Sequence, residues 1–245
     1  MVSAVTPIAH LLRDCRLRLT DGTWPFETER AADIAAHWRS AIEDKPAMWD
    51  GRVLMMQDWS LEEGVLTGAF ADVAYSSFHA WKTWGFPDPS IVNCFGSGVL
   101  RTADGALIYG VMGRSTSNAG RVYPVGGTLD HDDVRGGGAI DMFGSIAREL
   151  TEETGLTVAE CRRGDRLAVR DGQLMSIAEV LDFPENADTL AARIRNTIAA
   201  QDDPELHDVM IVRRAADLDA VRTFGFARMI AETLLSRAGA SAPSA

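Results

Sequence analysis

The amino-acid sequence predicts an α/β fold of the α+β type, in which β-hairpins are separated by helices. Asp104-Gly105 and Asp171-Gly172 each join two short apolar segments, and an Asp-Gly pair in that setting is a strong signal for a hairpin turn. Apolar residues recur at helical spacing over 141–154 and 187–200. The chain has 245 residues, 46% hydrophobic and 24% charged, which is typical of a globular domain with an elaborated N-terminal region.

The first 90 residues differ in composition from the rest, because all six tryptophans lie before residue 85. Their pattern predicts helices over 28–44 and 75–84 and strands over 52–58 and 65–70. We therefore predict an N-terminal Trp-rich extension over 1–90, a second domain over 91–238 and a frayed tail over 239–245. In the second domain the pattern predicts strands at 98–101, 106–112, 120–124, 167–170, 174–181 and 209–213, and helices at 141–154, 187–200, 216–220 and 226–237.

Charge and cysteine content restrict the class of partner. The formal net charge of −11 would repel a nucleic-acid polymer, whereas a small phosphorylated substrate can still bind beside a divalent cation. The sequence contains no apolar run long enough to span a bilayer and no pattern of a signal peptide, so no membrane partner is expected. Cys15, Cys94 and Cys161 form no C-x-x-C pair, which indicates reduced thiols and a cytoplasmic location.

The predicted helix over 141–154 carries a cluster of acidic residues. Asp141 can cap its start, and Gly155 follows its end. Glu149, Glu152 and Glu153 fall within an arc of about 100° beside the apolar face. Their charges repel one another by a few tenths of a kcal/mol per pair, and the negative end of the helix dipole adds to the conflict. A divalent cation would resolve this conflict, and oxygen ligands favour Mg²⁺ or Mn²⁺. The cluster alone is also compatible with a solvated acidic helix end.

The longer pattern decides between these two interpretations. The segment 148–156 reads Arg-Glu-Leu-Thr-Glu-Glu-Thr-Gly-Leu, and it follows Gly126-Gly127 and a linking loop. This string resembles the signature of the Nudix hydrolase superfamily, whose second half is matched in full. The resemblance covers roughly residues 93 to 214.

The resemblance to the Nudix family implies a mixed sheet sandwiched between helices and an enzyme that hydrolyses acid anhydrides in phosphorus-containing compounds. Its substrate would be a nucleoside diphosphate linked to another group, such as a nucleotide sugar or an ADP-ribose-like compound. By this likeness Glu149, Glu152 and Glu153 would hold the metal and take part in catalysis. Arg148 would orient these carboxylates.

The chain also departs from the family pattern. The family places a Glu eight residues before Arg148, where this chain has Ile140, and the neighbouring Asp141 is interpreted as a helix cap or a carboxylate acting behind the ligands. Glu205 is the best-placed candidate for a general base, ahead of Glu179 in a predicted strand. Four residues are candidates for substrate binding: Arg114, Arg121, Gly126 and Gly127. The alternative for either arginine is a surface residue beside the hairpin.

The Trp-rich extension has a fainter resemblance. Residues 49–52 and 75–78 are vaguely similar to the N-terminal extension of a Nudix branch that hydrolyses UDP-sugars. The tryptophans could instead pack a small core, form a homodimer interface or stack on a nucleotide base. The sequence leaves these interpretations open.

Two further functions are compatible with the sequence. A non-catalytic module that binds a nucleotide on the same fold would explain the missing upstream Glu. A Nudix-like isomerase would need an acid/base pair, for which Cys94 is the available thiol. The intact carboxylate set favours the hydrolase over both.

Overall fold

We describe the protein from a computed structural model that covers residues 6–45, 48–114 and 116–240. Its strands and helices follow in chain order. The strands are β1 (Ile8–Leu11), β2 (Asp14–Leu19), β3 (Arg52–Glu62), β4 (Val65–Ala74), β5 (Asn93–Arg101), β6 (Leu107–Met112), β7 (Val122–Tyr123), β8 (Arg162–Asp171), β9 (Leu174–Asp182) and β10 (Leu206–Val212). The helices are α1 (Pro25–Glu29), α2 (Ala31–Asp44), α3 (Tyr75–Thr83), α4 (Met142–Thr154), α5 (Ala187–Ala200) and α6 (Gly225–Ala240).

The chain forms two compact units, each built from separate segments of sequence. Unit 1 comprises Met1–Leu12, Gly96–Gly127 and Phe143–Ala245. Unit 2 comprises Arg13–Phe95 and Thr128–Met142. The division therefore does not follow a single point in the sequence, and the linear boundary near residue 90 stays a prediction.

A seven-stranded sheet dominates unit 1. Its strand order is β1-β8-β9-β5-β6-β10, with β7 paired to β6. The pairs β1–β8, β8–β9, β5–β6 and β6–β10 are antiparallel. Helix α6 packs against β1, β8 and β9, and α5 packs against β10. The strands that lie between α4 and α5 in the sequence, β8 and β9, belong to this sheet.

Side-chain hydrogen bonds stabilise the N-termini of two of these helices. The side chain of Asn186 accepts a hydrogen bond of 3.0 Å from the amide of Thr189, so α5 begins with a side-chain cap. Asp171, the last residue of β8 before the turn to β9, accepts a hydrogen bond of 2.9 Å from the amide of Phe226 in the first turn of α6. The predicted Asp-Gly turn therefore also stabilises the start of a distant helix.

Unit 2 has its own sheet and core. The sheet order is β2-β4-β3, in which β2 and β4 are parallel and β3 and β4 are antiparallel. Trp24 and Trp81 are 1% and 0% exposed and pack with Phe26, Phe78 and other apolar residues. The core-packing interpretation is confirmed for these two tryptophans, whereas Trp49 is 78% exposed.

The α+β class and most predicted elements are confirmed. Both Asp-Gly turns join strands, and α5 has the predicted bounds. The predicted helix at 216–220 is instead a short 3₁₀ turn, Ala215–Asp217. Strands β1 and β2 were not predicted, although the alternation of arginine with Cys15, Leu17 and Leu19 was a usable signal for β2. Residues 241–245 of the predicted tail lie outside the described residues.

Within the described part of the chain, no helix combines the length and the apolar character needed to cross a membrane.

Candidate functional site

Helix α4 places one carboxylate on its buried face. Ile146 and Leu150 are fully buried, and Glu153 follows them at helical spacing with only 3% of its surface exposed. Glu153 therefore stands where an amphipathic helix would normally carry an apolar residue. This position separates it from an ordinary acidic helix end, which would be solvated.

The carboxylate of Glu153 lacks compensation. Neither of its oxygens has a hydrogen-bond partner among the described residues. Burial raises its pKa well above the usual range, and the charges of Glu149, Glu205 and Glu152 raise it further, while the amide of Gly126 opposes the shift without reaching full hydrogen-bond geometry. A buried, unpartnered anion is strongly unfavourable, so this position favours either a proton or a bound cation.

Glu149 and Glu152 share one arginine. Nη1 of Arg148 lies 2.9 Å from Oε1 of Glu149 and 3.1 Å from Oε2 of Glu152. The Glu149 side chain is 12% exposed, whereas that of Glu152 is 58% exposed. The three carboxylates thus range from buried at Glu153 to solvated at Glu152. Arg148 forms ion pairs with the outer two carboxylates.

The two predicted glycines allow the backbone to approach this cluster closely. Gly126 has φ 151°, and a Cβ atom there would lie 2.1 Å from the carbonyl oxygen of Gly96. A Cβ atom on Gly127 would lie 2.5 Å from Oε1 of Glu149. Gly126 is therefore needed for the path of the backbone, and Gly127 leaves space for the Glu149 carboxylate.

Gly127→Ala is expected to displace the Glu149 carboxylate and to lower turnover about 10-fold or more. Because the contact is with the end of a flexible side chain, the free energy of unfolding should change by less than about 1 kcal/mol. Steady-state kinetics and thermal denaturation measure the two effects. Gly136→Ala is the matched control, since a Cβ atom there meets nothing within 4 Å. Full activity of Gly127→Ala would contradict the role given to this space.

Glu205 joins the cluster from the loop between α5 and β10. A cleft of about 550 Å³ is lined by Glu149, Glu152, Glu153, Ala200, Gln201, Asp202, Asp203 and Glu205. Glu205 is exposed. Partial desolvation of its carboxyl nevertheless raises its pKa, as do the charges of Glu152 and Asp203, while Arg148 lowers it. The structure thus brings the candidate base and the three α4 carboxylates to one cleft.

The other predicted site residues lie in different surroundings. Arg121 donates a hydrogen bond of 2.7 Å to the carbonyl of Val221 and stacks 4.9 Å from the ring centre of Phe224, so its guanidinium is already engaged. Arg114 is exposed. Asp141 belongs to unit 2, where its carboxylate lies 3.3 Å from Nε of Arg135. Ile140, in place of the family's Glu, is 7% exposed and its amide donates to the carbonyl of Leu17.

Two groups considered as acids or bases are enclosed. Glu179 is fully buried and its carboxylate is shared by Arg163 and Arg166, at distances of 2.6 Å and 2.9 Å. Cys94 is also fully buried, and burial raises the pKa of its thiol well above the usual value. Both features disfavour proton exchange with a substrate.

The cleft offers the type of donor that hard divalent cations bind. Carboxylate oxygens are the ligands that Mg²⁺ and Mn²⁺ prefer, and Glu153 offers two oxygens without partners among the described residues. Among the described residues, no group of three or more Asp, Glu, His or Cys side chains is arranged so that it could hold a metal ion. Two of the cleft carboxylates, Glu149 and Glu152, are instead paired with Arg148.

Comparison with known proteins finds similarity at the level of structure. No protein-family profile matches the chain, and no curated protein matches its sequence. Similar solved structures include DR0079 from Deinococcus radiodurans (13% identity, TM-score 0.38, 66% of this chain and 83% of that chain) and the Nudix hydrolase RenU from M. smegmatis (15%, 0.36, 62% and 87%). Another is the MutT protein from Methanosarcina mazei Go1 (17%, 0.36, 60% and 95%).

Proposed function

We propose that this chain is a Nudix-type hydrolase that uses Mg²⁺ to cleave the diphosphate linkage of a nucleoside diphosphate joined to another group, such as a nucleotide sugar or an ADP-ribose-like compound. One observation carries the proposal. Glu153 is a buried carboxylate without a hydrogen-bond partner among the described residues, and it belongs to the Arg148–Leu156 motif. If Glu153 served only to pack the buried face of α4, an uncharged side chain would suffice there.

A cation relieves the electrostatic conflict in the cleft. Glu149, Glu152 and Glu153 would hold it, with Arg148 orienting the outer two carboxylates. When bound, Mg²⁺ would neutralise the diphosphate and lower the pKa of a water molecule. Small anionic substrates can then enter a cleft that is otherwise negative, whereas the net charge of −11 disfavours long polyanions.

Glu205 is proposed as the general base. Its raised pKa makes it a stronger proton acceptor than an ordinary carboxylate, which suits removal of a proton from the attacking water. Glu179, the other acid considered, is neutralised by two arginines. The three free cysteines fit a reducing compartment, and we propose the cytoplasm.

The test is a panel of nucleotide sugars, ADP-ribose, dinucleoside polyphosphates and nucleoside triphosphates, assayed with and without Mg²⁺ and Mn²⁺. We expect release of a nucleoside monophosphate from at least one nucleoside diphosphate derivative, with one oxygen from ¹⁸O-labelled water in a phosphate product. Glu232→Gln, an exposed change on α6, is the control and should retain wild-type turnover.

The result also separates the hydrolase from the nucleotide-binding alternative. Thermal stabilisation by a nucleotide without any turnover across the panel would contradict the hydrolase and support a sensor. Metal-dependent turnover that persists unchanged in Glu149→Gln would contradict the assignment of the carboxylates.

A further inference from the structure

The loop that carries Glu205 is attached to helix α4 at its first residue. Nε2 of Gln201 donates a hydrogen bond of 2.8 Å to the backbone carbonyl of Glu152. That carbonyl lies in the last turn of α4, where carbonyls have no partner within the helix. One side chain therefore joins the start of the loop to the helix that carries the carboxylates.

The same loop is attached to the end of β6 at its last residue. The amide of Gly113 donates a hydrogen bond of 2.7 Å to the carbonyl of Glu205. A Cβ atom on residue 113 would lie 2.9 Å from that carbonyl oxygen and 3.0 Å from the carbonyl oxygen of Pro204. Both contacts are with backbone, so a side chain at this position would push the loop away. The absence of a side chain at Gly113 thus sets the position of the Glu205 backbone.

These attachments act against repulsion within the cleft. Asp202, Asp203 and Glu205 line it together with the three α4 carboxylates. Like charges in one cleft push a loop outward, and a hydrogen bond at each end opposes that displacement.

We propose that Gln201 and Gly113 are positioning residues that clamp the 201–205 loop and so hold the Glu205 carboxylate in the cleft. The inference rests on the proposed hydrolase function and on Glu205 as its base. Neither residue touches the reacting atoms. Both act through Glu205, whose displacement by about 1 Å is enough to lower a reaction rate strongly.

The test uses Gly113→Ala and Gln201→Met in the full chain, with Gly136→Ala as control. The turnover number of each clamp variant should fall about 10- to 100-fold, with KM and the half-saturating Mg²⁺ concentration within about twofold of wild type. A loss caused by general disruption would change KM and metal dependence as well. Gln201→Met keeps the length of the side chain and preserves a test if Gly113→Ala folds poorly.

A double-mutant cycle with Glu205→Gln separates positioning from other effects. If the clamp acts through Glu205, then Gly113→Ala or Gln201→Met should lower turnover no further once Glu205 is replaced. An equal loss in both backgrounds, or wild-type turnover in both clamp variants, would overturn the inference while leaving the hydrolase intact. An inactive wild-type protein would instead overturn the proposed function and this role with it.

Discussion

Glu153→Gln is expected to reduce Mg²⁺-dependent turnover at least about 100-fold and, without metal, to make the protein more stable. The replacement keeps the shape of a buried side chain and removes its charge. A buried group without a partner is unfavourable by about 1–3 kcal/mol and more when charged, so we expect the metal-free variant to gain at least about 1 kcal/mol. Kinetics and chemical denaturation in EDTA measure the two effects.

The pH dependence of stability gives an independent check on Glu153. Because its pKa in the folded protein is raised above the ordinary value of 4.5, the folded state binds more protons than the unfolded state between these two pKa values. The metal-free protein should therefore lose stability as pH rises above about 4.5 through the raised pKa.

Saturating Mg²⁺ should reduce this loss by compensating the charge, and Glu153→Gln should remove the largest part of it. Glu205 adds a contribution of the same sign. Glu232→Gln is the control and should follow the wild-type curve. A metal-free protein whose stability rises with pH across this range would contradict the burial of an uncompensated carboxylate at Glu153.

Glu179→Ala is expected to lower the free energy of unfolding by about 2–4 kcal/mol. Glu179 is fully buried in β9 and joins two arginines of β8. The guanidinium of Arg166 also stacks 3.6 Å from the ring centre of Phe143 at the start of α4. Loss of the carboxylate leaves two cations facing each other across a cavity, although their partial exposure keeps the effect below that of a fully buried pair.

Glu179→Gln provides the matched comparison. It keeps the size of the side chain and its oxygen acceptor, so its destabilisation should be about half that of Glu179→Ala or less. Urea denaturation measures both variants. Because Glu179 is enclosed, Glu179→Gln should also retain the shape of the wild-type pH–rate profile. A shifted acid limb would contradict the assignment of the base to Glu205.

Short-range signals explain most of what could be predicted. The Asp-Gly turns predict the two hairpins because the chemistry of a tight turn lies in adjacent residues. The α4 carboxylates could be predicted for the same reason, since helical spacing alone brings Glu149, Glu152 and Glu153 to one side. Strand β1 was not predicted because its four residues are too few to show a clear pattern. It is defined by its pairing with β8.

The sequence by itself determined the hairpins, helix α4 and the cluster of like charges on that helix. Only the tertiary structure decided that Glu153 is buried without a hydrogen-bond partner among the described residues, and that Glu179 is paired with two arginines. It also decided that Arg121 is engaged with Val221 and Phe224. The hydrogen bond from the Gly113 amide to the Glu205 carbonyl is likewise visible only in the tertiary structure. The physical reason is that burial and pairing arise from residues far apart in the chain, whereas turn chemistry and helical spacing are local.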